Sequence, residues 1–377
     1  MDFNFNEEQE MLRRMARDFL TEECPKSLVR EMISDEKGYY PELWRKMAEL
    51  GWMGLMLPEK YGGSGGGFLD LIVLLEEMGR ACLLGPFFSS VVLGSSIVIE
   101  AGDEIQKQDL LPLIAKGDII ITLALTEASV DYNPASVSVR AKLDKDEWII
   151  DGTKLFVPDA HIADHIICVC RSADSMGEDG ITLLLVNAKS PGISVVPLQS
   201  FTGDKQCEVI FDKVRVPQQS TIGEVNKGWE YIGRLLQKAA VAKCAQMLGG
   251  AQQVLEMTIA YAKERVQFGR PIGSFQAIQH HCSNMMTDIE GSRLLTYRAA
   301  WMLTERLPCA KEVTMAKAWV TDAYKRVTIL GHQAQGGVSV MEDHDMPLYS
   351  KQMASWGPAF GDATFHRKML GQAWASE

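Results

Sequence analysis

The sequence predicts an α+β multi-domain protein with a helical N-terminal domain, a central β domain and a C-terminal four-helix bundle. Two changes of pattern support this prediction: helical spacing of apolar residues gives way to short alternating segments near residue 119, and it returns at Gly228. The third observation is that Gly, Asp and Pro separate the central segments at regular intervals, as in a β barrel or sandwich. We place the domains at residues 1–119, 120–226 and 227–377.

The N-terminal third contains amphipathic helices separated by a glycine-rich break. Met11, Met15 and Phe19 recur on one side of a helical wheel. Pro58 and the glycines at 62–67 then interrupt the pattern, and they predict a turn between helices. Since no G-x-G-x-x-G register follows a strand here, the break is not a dinucleotide-binding loop of the Rossmann type.

The central segments alternate apolar and polar residues or form short β-branched runs. They include DIIITLAL, SVSVRAKL, EWIIDGTKLFV, HIICVC, GITLLLV and EVIFDKVRV. After them, four runs with a 3.6-residue period predict the long helices of a bundle. These runs cover residues 228–266, 275–305, 309–335 and 347–373.

Charge and hydropathy exclude several classes of function. The 377 residues carry a formal net charge of −11, which argues against a nucleic-acid or anionic-membrane partner. No run of 18 or more apolar residues predicts a membrane-spanning helix. The N-terminus lacks the features of a signal peptide and is too acidic for a transit peptide. We therefore expect a cytoplasmic protein.

The cysteines and histidines do not predict a metal site. The eight cysteines lack metal-ligand spacing, and we expect all of them to be reduced. His161, Asp164 and His165 could be drawn as ligands, but they lie in a strand-like stretch without further ligands. We expect no metal ion.

Three motifs stand out in the sequence. The first is LALTE at 123–127, the second is Arg265-x-x-Phe268-Gly269 followed by Phe275-Gln276-x-x-Gln279, and the third is Gln333-Ala-Gln-Gly336-Gly337. In order and spacing, these motifs resemble the acyl-CoA dehydrogenase family, whose members bind a flavin dinucleotide, over essentially the whole chain. Such a cofactor needs a cation for its diphosphate, flat apolar contacts and close backbone approach, which an arginine, an aromatic ring and glycines can provide.

The resemblance implies FAD as cofactor and an acyl-CoA thioester as substrate. It also implies an electron-transferring flavoprotein as acceptor and a tetramer in which neighbouring subunits share the flavin, either a homotetramer or a heterotetramer with a homologous subunit. The residues that it assigns to the cofactor are Leu123, Leu125, Thr126, Tyr132, Phe156, Pro158, Arg265, Gln267, Phe268, Gln276, Gln333, Gly336, Gly337, Asp362 and Thr364. The simpler alternative is that Arg265 pairs with a carboxylate and the glycines only cap a helix.

The sequence departs from the family at the catalytic base. The family removes the α-proton of the thioester with a glutamate, whose own backbone N–H donates to the thioester oxygen. Phe360 stands at that glutamate's place and retains only the N–H. The other position that the family uses corresponds to Ala239 or Ala240, and neither is acidic. In addition, Tyr132 replaces a serine that usually contacts substrate, and Pro158 has no N–H to donate.

Other groups could act as the base. Asp362 and Tyr132 are our catalytic candidates beside Phe360, since an apolar pocket can raise the pKa of a carboxyl group toward neutrality. Glu127, Asp131 and Asp159 are further candidates. For every one of these residues, Asp362 and Tyr132 included, the simpler interpretation is a solvated or hydrogen-bonded loop residue without a catalytic role. Ser89, Ser90 and Val91 are small residues where the family lines the distal end of the acyl pocket, which permits a bulky acyl group.

Three functions remain open at this point. The first is an acyl-CoA dehydrogenase with an atypical base, acting alone or as half of a heteromer. The second is a non-catalytic partner subunit of a heterotetramer, since the variants FVPDA and FGDATFHR resemble a bacterial branch of the family in which some chains act this way. The third is a repurposed fold that hydrates or hydrolyses a CoA thioester without redox chemistry.

Overall fold

A computed structural model describes residues 5–174 and 177–375 and confirms the predicted fold class. Its helices are α1 Glu7–Glu23, α2 Lys26–Ser34, α3 Pro41–Glu49, α4 Phe68–Ala81, α5 Ser95–Ala101, α6 Glu104–Ala115, α7 Gly228–Glu264, α8 Gln276–Thr304, α9 Ala310–Gln335, α10 Met346–Trp356 and α11 Ala363–Ala375. Its strands are β1 Ile121–Ala124, β2 Arg140–Asp144, β3 Glu147–Pro158, β4 His165–Arg171, β5 Ile181–Asn187, β6 Ile193–Leu198, β7 Gln206–Pro217, β8 Thr221–Ile222, β9 Val266–Gln267 and β10 Arg270–Pro271.

The chain divides into two compact units. The helical unit contains Met1–Arg30, Gly67–Leu83 and Ala240–Glu377, and the mixed unit contains Glu31–Gly66 and Leu84–Ala239. These units differ from the three predicted domains, because α1 and α4 pack in the same unit as the C-terminal helices. The predicted domain boundaries near 119 and 226 stay a prediction.

The mixed unit is built around an eight-stranded sheet. The strand order is β6-β7-β3-β2-β4-β5-β8, and β1 pairs parallel with β4 outside this path. Buried and exposed side chains alternate along β7, so one face of the strand contributes to the core. That core contains Trp148, Ile150, Cys168 and Phe211. Side chains of β3 thereby occupy fixed positions relative to the loop that follows β1.

The helical unit depends on long amphipathic helices. The helices α7, α8 and α9 contain 37, 29 and 26 residues, close to the predicted runs. The last predicted run is divided, because Gly357, Pro358 and Gly361 form a turn between α10 and α11. This division places Phe360 in a turn instead of a helix.

Two further findings concern features that the sequence raised. All eight cysteines have free thiols, and seven of them are buried. Within the described ranges, no group of three or more His, Cys, Asp or Glu side chains could hold a metal ion. Asp164 instead accepts the backbone N–H of Ile120 at 2.9 Å. Among the described residues, no helix is long and apolar enough to cross a membrane.

Candidate active site

The segment after β1 contributes main-chain groups to the candidate site. Leu123 and Leu125 are 4% and 8% exposed, so their side chains belong to the core. Thr126 is half-buried, and its carbonyl accepts the N–H of Leu155 in β3 at 2.8 Å. The position of this segment is therefore set by the adjacent strand.

A buried ion pair fixes the same segment. Lys154 in β3 is 0% exposed, and its Nζ donates to Glu127 Oε1 at 2.6 Å and to the carbonyl of Leu125 at 3.0 Å. Glu127 also accepts the N–H groups of Ser138 and Val139, so its carboxylate joins both ends of the loop 127–138. Burial alone would raise the pKa of Glu127, but Lys154 and the hydrogen bonds outweigh burial and lower it. Glu127 is thus ill-suited to act as the base.

Tyr132 lies in this loop and is half-buried. The loop has a second buried anchor in Arg171, which is 2% exposed. Its guanidinium donates to the carbonyl of Pro134 at 2.5 Å and to that of Val137 at 3.0 Å. Asp131, another candidate base, is exposed and accepts a hydrogen bond from Ser136 at 3.2 Å. The two anchors restrict where Tyr132 can lie.

The end of β3 contains a bulge next to the other aromatic candidate. The pairing of β3 with β7 shifts register between Lys154 and Val157, and Phe156 adopts a φ of +55° with its side chain 43% exposed. Pro158 accepts a 2.5 Å hydrogen bond from Thr122 through its carbonyl. The bulge therefore projects an aromatic ring from a strand whose other side chains at this end are more buried.

The small residues predicted for the acyl pocket lie on a π-helical segment, Phe88–Gly94. Ser89 is 1% exposed and donates to Asp159 Oδ2 at 2.5 Å, and Ser90 accepts the N–H of Ile121 at 3.3 Å. Asp159 is also buried, and its own N–H donates to the carbonyl of Lys205. Both serine hydroxyls therefore have structural partners, and Asp159 is hydrogen-bonded as the simpler interpretation expected.

In the helical unit, the β9–β10 hairpin presents the second motif to solvent. Arg265, Gln267 and Phe268 are exposed, and Gln276 is exposed at the start of α8. Phe268 is 92% exposed at a φ of +52°, and its ring meets Phe275 edge-on at 6.1 Å. Among the residues that the structure describes, Arg265 has no side-chain ion pair. The alternative in which Arg265 pairs with a carboxylate of its own chain therefore finds no support.

The third motif spans the end of α9, and some of its residues are buried whereas others are exposed. Gln335 is buried and donates to Thr258 at 3.0 Å, whereas Gln333, Gly336 and Gly337 are exposed. Gly336 caps α9 with φ +69° and ψ −152°, a conformation that is essentially restricted to glycine. A Cβ at Gly337 would meet no atom within 4 Å. Helix capping therefore explains Gly336, but the structure of this chain does not require a glycine at 337.

The turn between α10 and α11 contains the catalytic candidates. Phe360 is half-buried at a φ of +58°, and Gly361 follows at +95°. Asp362 and Thr364 are exposed, and the Asp362 carboxylate caps α11 by accepting the N–H of Phe365 at 2.7 Å. Asp362 therefore lacks the apolar enclosure that would favour a carboxyl base. The role of Asp362 in catalysis stays a prediction.

Two residues that the sequence analysis missed surround this turn. Lys317 in α9 is 0% exposed and donates to the carbonyls of Gly357 and Gly361, at 2.7 and 2.9 Å. Burial lowers the pKa of Lys317 to about 8. His366 approaches the carbonyl of Phe360 with Nε2 at 3.0 Å, and burial lowers the pKa of His366 to about 4. One signal was visible, because Lys317 falls in the apolar stripe of a predicted helix.

The alternative position for the base in α7 has no carboxylate. Ala239 and Ala240 in α7 are 0% and 2% exposed, and both pack in the core. The predicted site residues divide between the two units. The mixed unit contains the segment after β1, Tyr132 and the bulge in β3. The helical unit contains the β9–β10 hairpin, the glycines after α9 and the turn at Phe360.

Comparison with known proteins identifies the family. Profiles described as the acyl-CoA dehydrogenase N-terminal, middle and C-terminal domains match residues 6–118, 122–214 and 226–374. The chain belongs to the acyl-CoA dehydrogenase family. This result confirms the resemblance seen in the sequence motifs.

Individual members of the acyl-CoA dehydrogenase family are similar over nearly their full length. The acryloyl-CoA reductase (NADH) of Anaerotignum propionicum is 31% identical over an alignment of 352 residues that covers 92% of this chain and 89% of that protein. Butyryl-CoA dehydrogenase from Megasphaera elsdenii has a similar structure, with a TM-score of 0.92, 27% identity and 100% coverage of both chains. A chain of the ChsE4-ChsE5 complex from Mycobacterium tuberculosis gives a TM-score of 0.91, 27% identity and 100% coverage of both chains.

Proposed function

We propose that this chain is an FAD-dependent oxidoreductase of acyl-CoA thioesters that assembles as a tetramer. One observation carries the proposal: every motif residue that the family resemblance assigns to the flavin in the helical unit is exposed. These residues are Arg265, Gln267, Phe268, Gln276, Gln333, Gly336 and Gly337. Exposed arginine, phenylalanine, glutamine and glycine residues that make few contacts within their own chain are typical of a binding surface.

The chemistry of these residues fits FAD. Arg265 offers a guanidinium without a competing ion pair among the described residues, and such a group suits a diphosphate. Phe268 offers an aromatic ring, and Gly337 leaves open space where a side chain would otherwise stand. In the mixed unit, Phe156 and the main chain after β1 would hold the ring system. When bound, FAD supplies the acceptor for a hydride.

On the substrate side, the turn at Phe360 offers a backbone N–H in place of a carboxylate. That N–H would donate to the thioester oxygen, which makes the α-proton more acidic. Tyr132 and Asp362 remain the candidate bases. We further propose an electron-transferring flavoprotein as the electron acceptor.

An anaerobic visible spectrum of the purified chain tests this proposal. We expect a bound flavin spectrum that bleaches with one member of a panel of acyl-CoA esters. We expect Arg265→Met to lose FAD, whereas Arg215→Met, an exposed substitution on β7, should retain it. A colourless chain that does not take up FAD would contradict the proposal.

A second candidate is a non-catalytic partner subunit in a heterotetramer. The absence of a carboxylate at Phe360, Ala239 and Ala240 favours it, and so does the structural similarity to a chain of the ChsE4-ChsE5 complex. Co-expression with a homologue that has the glutamate distinguishes the two. Bleaching by the complex, with no bleaching by this chain alone, would assign it the partner role. Turnover of thioester without any electron acceptor would instead indicate hydration or hydrolysis.

A further inference from the structure

The turn Gly357–Gly361 is joined across its two ends by one side chain. Lys317 Nζ donates to the carbonyl of Gly357 at 2.7 Å and to the carbonyl of Gly361 at 2.9 Å. Inside the turn, the N–H of Gly361 donates to the carbonyl of Pro358 at 3.1 Å. Both ends of the turn are therefore tied to α9 through a single ammonium group.

The location of this ammonium is unfavourable for stability alone. Lys317 lies between Val313 and Val320 on the buried face of α9, where an apolar side chain would pack without desolvating a charge. Its third hydrogen-bond partner is the hydroxyl of Thr321 at 3.2 Å, and among the described residues it forms no ion pair. A lysine at this position is best explained by the turn that it contacts.

The turn itself has an unfavourable backbone conformation at its centre. A φ of +58° is uncommon for a residue as bulky as Phe360, and the neighbouring contacts are needed to maintain it. His366 provides one of these contacts by donating from Nε2 to the carbonyl of Phe360 at 3.0 Å. The Phe360 side chain has no acid–base role, so the group that this turn can present to a ligand is the main-chain N–H.

We propose that Lys317 is a positioning residue of the substrate site. Lys317 does not touch the thioester; it fixes the Gly357–Gly361 turn so that the N–H of Phe360 meets the thioester oxygen. His366 has the same role through the carbonyl of Phe360. This inference rests on the proposed function, because it assumes that this N–H binds the thioester.

A positioning role makes a specific kinetic prediction. The hydrogen bond to the thioester oxygen strengthens as negative charge develops there, so displacement of the N–H should slow flavin reduction more than it weakens binding. A displacement of about 1 Å can cost about 100-fold in rate. A residue that only stabilised the fold would instead alter flavin content and rate together.

The experiment compares Lys317→Met with Tyr324→Phe. Tyr324 is a matched control, because it is also buried on α9 and donates to an α10 carbonyl, that of Tyr349, at 3.2 Å, away from the turn. We expect Lys317→Met to retain wild-type FAD content and ester affinity within about 3-fold, and to bleach about 10- to 100-fold more slowly. Tyr324→Phe should bleach at the wild-type rate.

A second pair of variants covers the case in which Lys317→Met does not fold. His366→Leu removes the donor to Phe360, and His366→Gln replaces it with an amide donor. We expect slow bleaching in His366→Leu and recovery in His366→Gln, a difference that a purely structural role would not produce.

Each remaining outcome decides against the inference. If Lys317→Met bleaches as fast as Tyr324→Phe, or if the two His366 variants react at equal rates, Lys317 and His366 do not position the turn for catalysis. A wild-type chain that binds FAD but bleaches with no ester would overturn the proposed oxidoreductase activity itself, and the inference with it. The wild-type spectrum thus separates failure of the function from failure of the positioning role.

Discussion

Lys154 of the mixed unit and Lys317 of the helical unit are each 0% exposed. Lys154 donates to one main-chain carbonyl of a predicted site segment, and Lys317 donates to two. Their surroundings differ. Lys154 has a carboxylate partner, Glu127, at 2.6 Å, whereas Lys317 is surrounded by two carbonyls and one hydroxyl. One buried charge is neutralised by a counter-charge in contact with it, and the other contacts only dipoles, with Asp362 and Cys244 acting on it from a greater distance.

This difference shows two ways in which a fold can accommodate a cation near a reactive site. In the ion pair, each partner depends on the other, and the pKa of Glu127 falls as a result. Lys317 has no counter-charge in direct contact, so burial outweighs the opposing effects of Cys244 and Asp362 and lowers the pKa of Lys317 to about 8. Removal of one partner of the ion pair leaves an unpaired buried charge and should strongly lower the free energy of unfolding. Removal of Lys317 leaves no such charge and should lower it less.

The largest expected effect is that of Lys154→Met. This change leaves Glu127 as a buried carboxylate without its cation, which costs about 3–5 kcal/mol in the free energy of unfolding. Urea unfolding followed by circular dichroism measures the loss. Arg215→Met breaks exposed ion pairs with Glu147 and Asp144 and should cost at most about 1 kcal/mol. Equal losses in the two variants would contradict the role of burial.

Lys317→Met should destabilise the helical unit less. No buried counter-charge is left behind. Each of two carbonyls loses a donor at a cost of about 1–3 kcal/mol, but the variant no longer buries an ammonium, so we expect a net loss of about 1–2 kcal/mol. The same unfolding measurement applies, with Lys154→Met alongside. A loss as large as that of Lys154→Met would show that the two lysines do not differ in the way described.

The pH dependence of stability sharpens the comparison further. In the unfolded chain Lys317 retains its proton up to a pKa of 10.5, but in the folded chain it releases it near 8. Between these values the unfolded state binds more protons, so this residue makes the folded state relatively more stable as the pH rises. We expect the stability of wild type relative to Lys317→Met to increase by about 1 kcal/mol between pH 7 and 9.

We compare wild type with Lys317→Met, instead of using wild type alone, because other groups also titrate above pH 9. Burial raises the pKa of Cys244 to about 12, so its contribution has the opposite sign in that range. The same pH series on Lys154→Met serves as the control. If the relative stability of wild type and Lys317→Met is constant from pH 7 to 9, the proposed titration of Lys317 does not occur.

The smallest expected effect is that of Thr321→Val. It removes one acceptor from Lys317 at 3.2 Å but leaves both bonds to the turn, so it should cost about 0.5 kcal/mol and leave flavin bleaching unchanged. Thermal unfolding and the bleaching assay check both parts. A rate loss comparable to that of Lys317→Met would assign the effect to the ammonium's environment and not to the turn.

The sequence was sufficient for the fold class, because that depends on periodicity, which a single chain displays. It was also sufficient for the family, because Arg265 and Gly336 belong to short local patterns; their role in binding FAD stays a prediction. The division of the last helical run at Gly357 could have been predicted, since a Gly-Pro pair followed by another glycine interrupts a helix.

What the sequence could not provide are contacts between distant segments. Lys317 and Gly361 are far apart along the chain, and only the packing of α9 against the turn brings them together. Glu127 was assigned as a loop carboxylate, but its partner Lys154 becomes apparent only when β3 is known to lie beside the segment after β1. The left-handed conformation of Phe156 likewise arises from a bulge in strand pairing, which residue types alone do not predict.

The nearly bare ring of Phe268 has a consequence for how the protein should be handled. A phenylalanine that is 92% exposed forgoes about 2 kcal/mol of burial free energy. Under the proposed assembly, a neighbouring subunit or FAD recovers it by binding only the folded chain. Mass action then makes the melting temperature rise with protein concentration and with added FAD. A melting temperature measured on a dilute, flavin-free sample would therefore be that of a chain without its neighbouring subunit and its FAD, and it would be lower than that of the assembled protein.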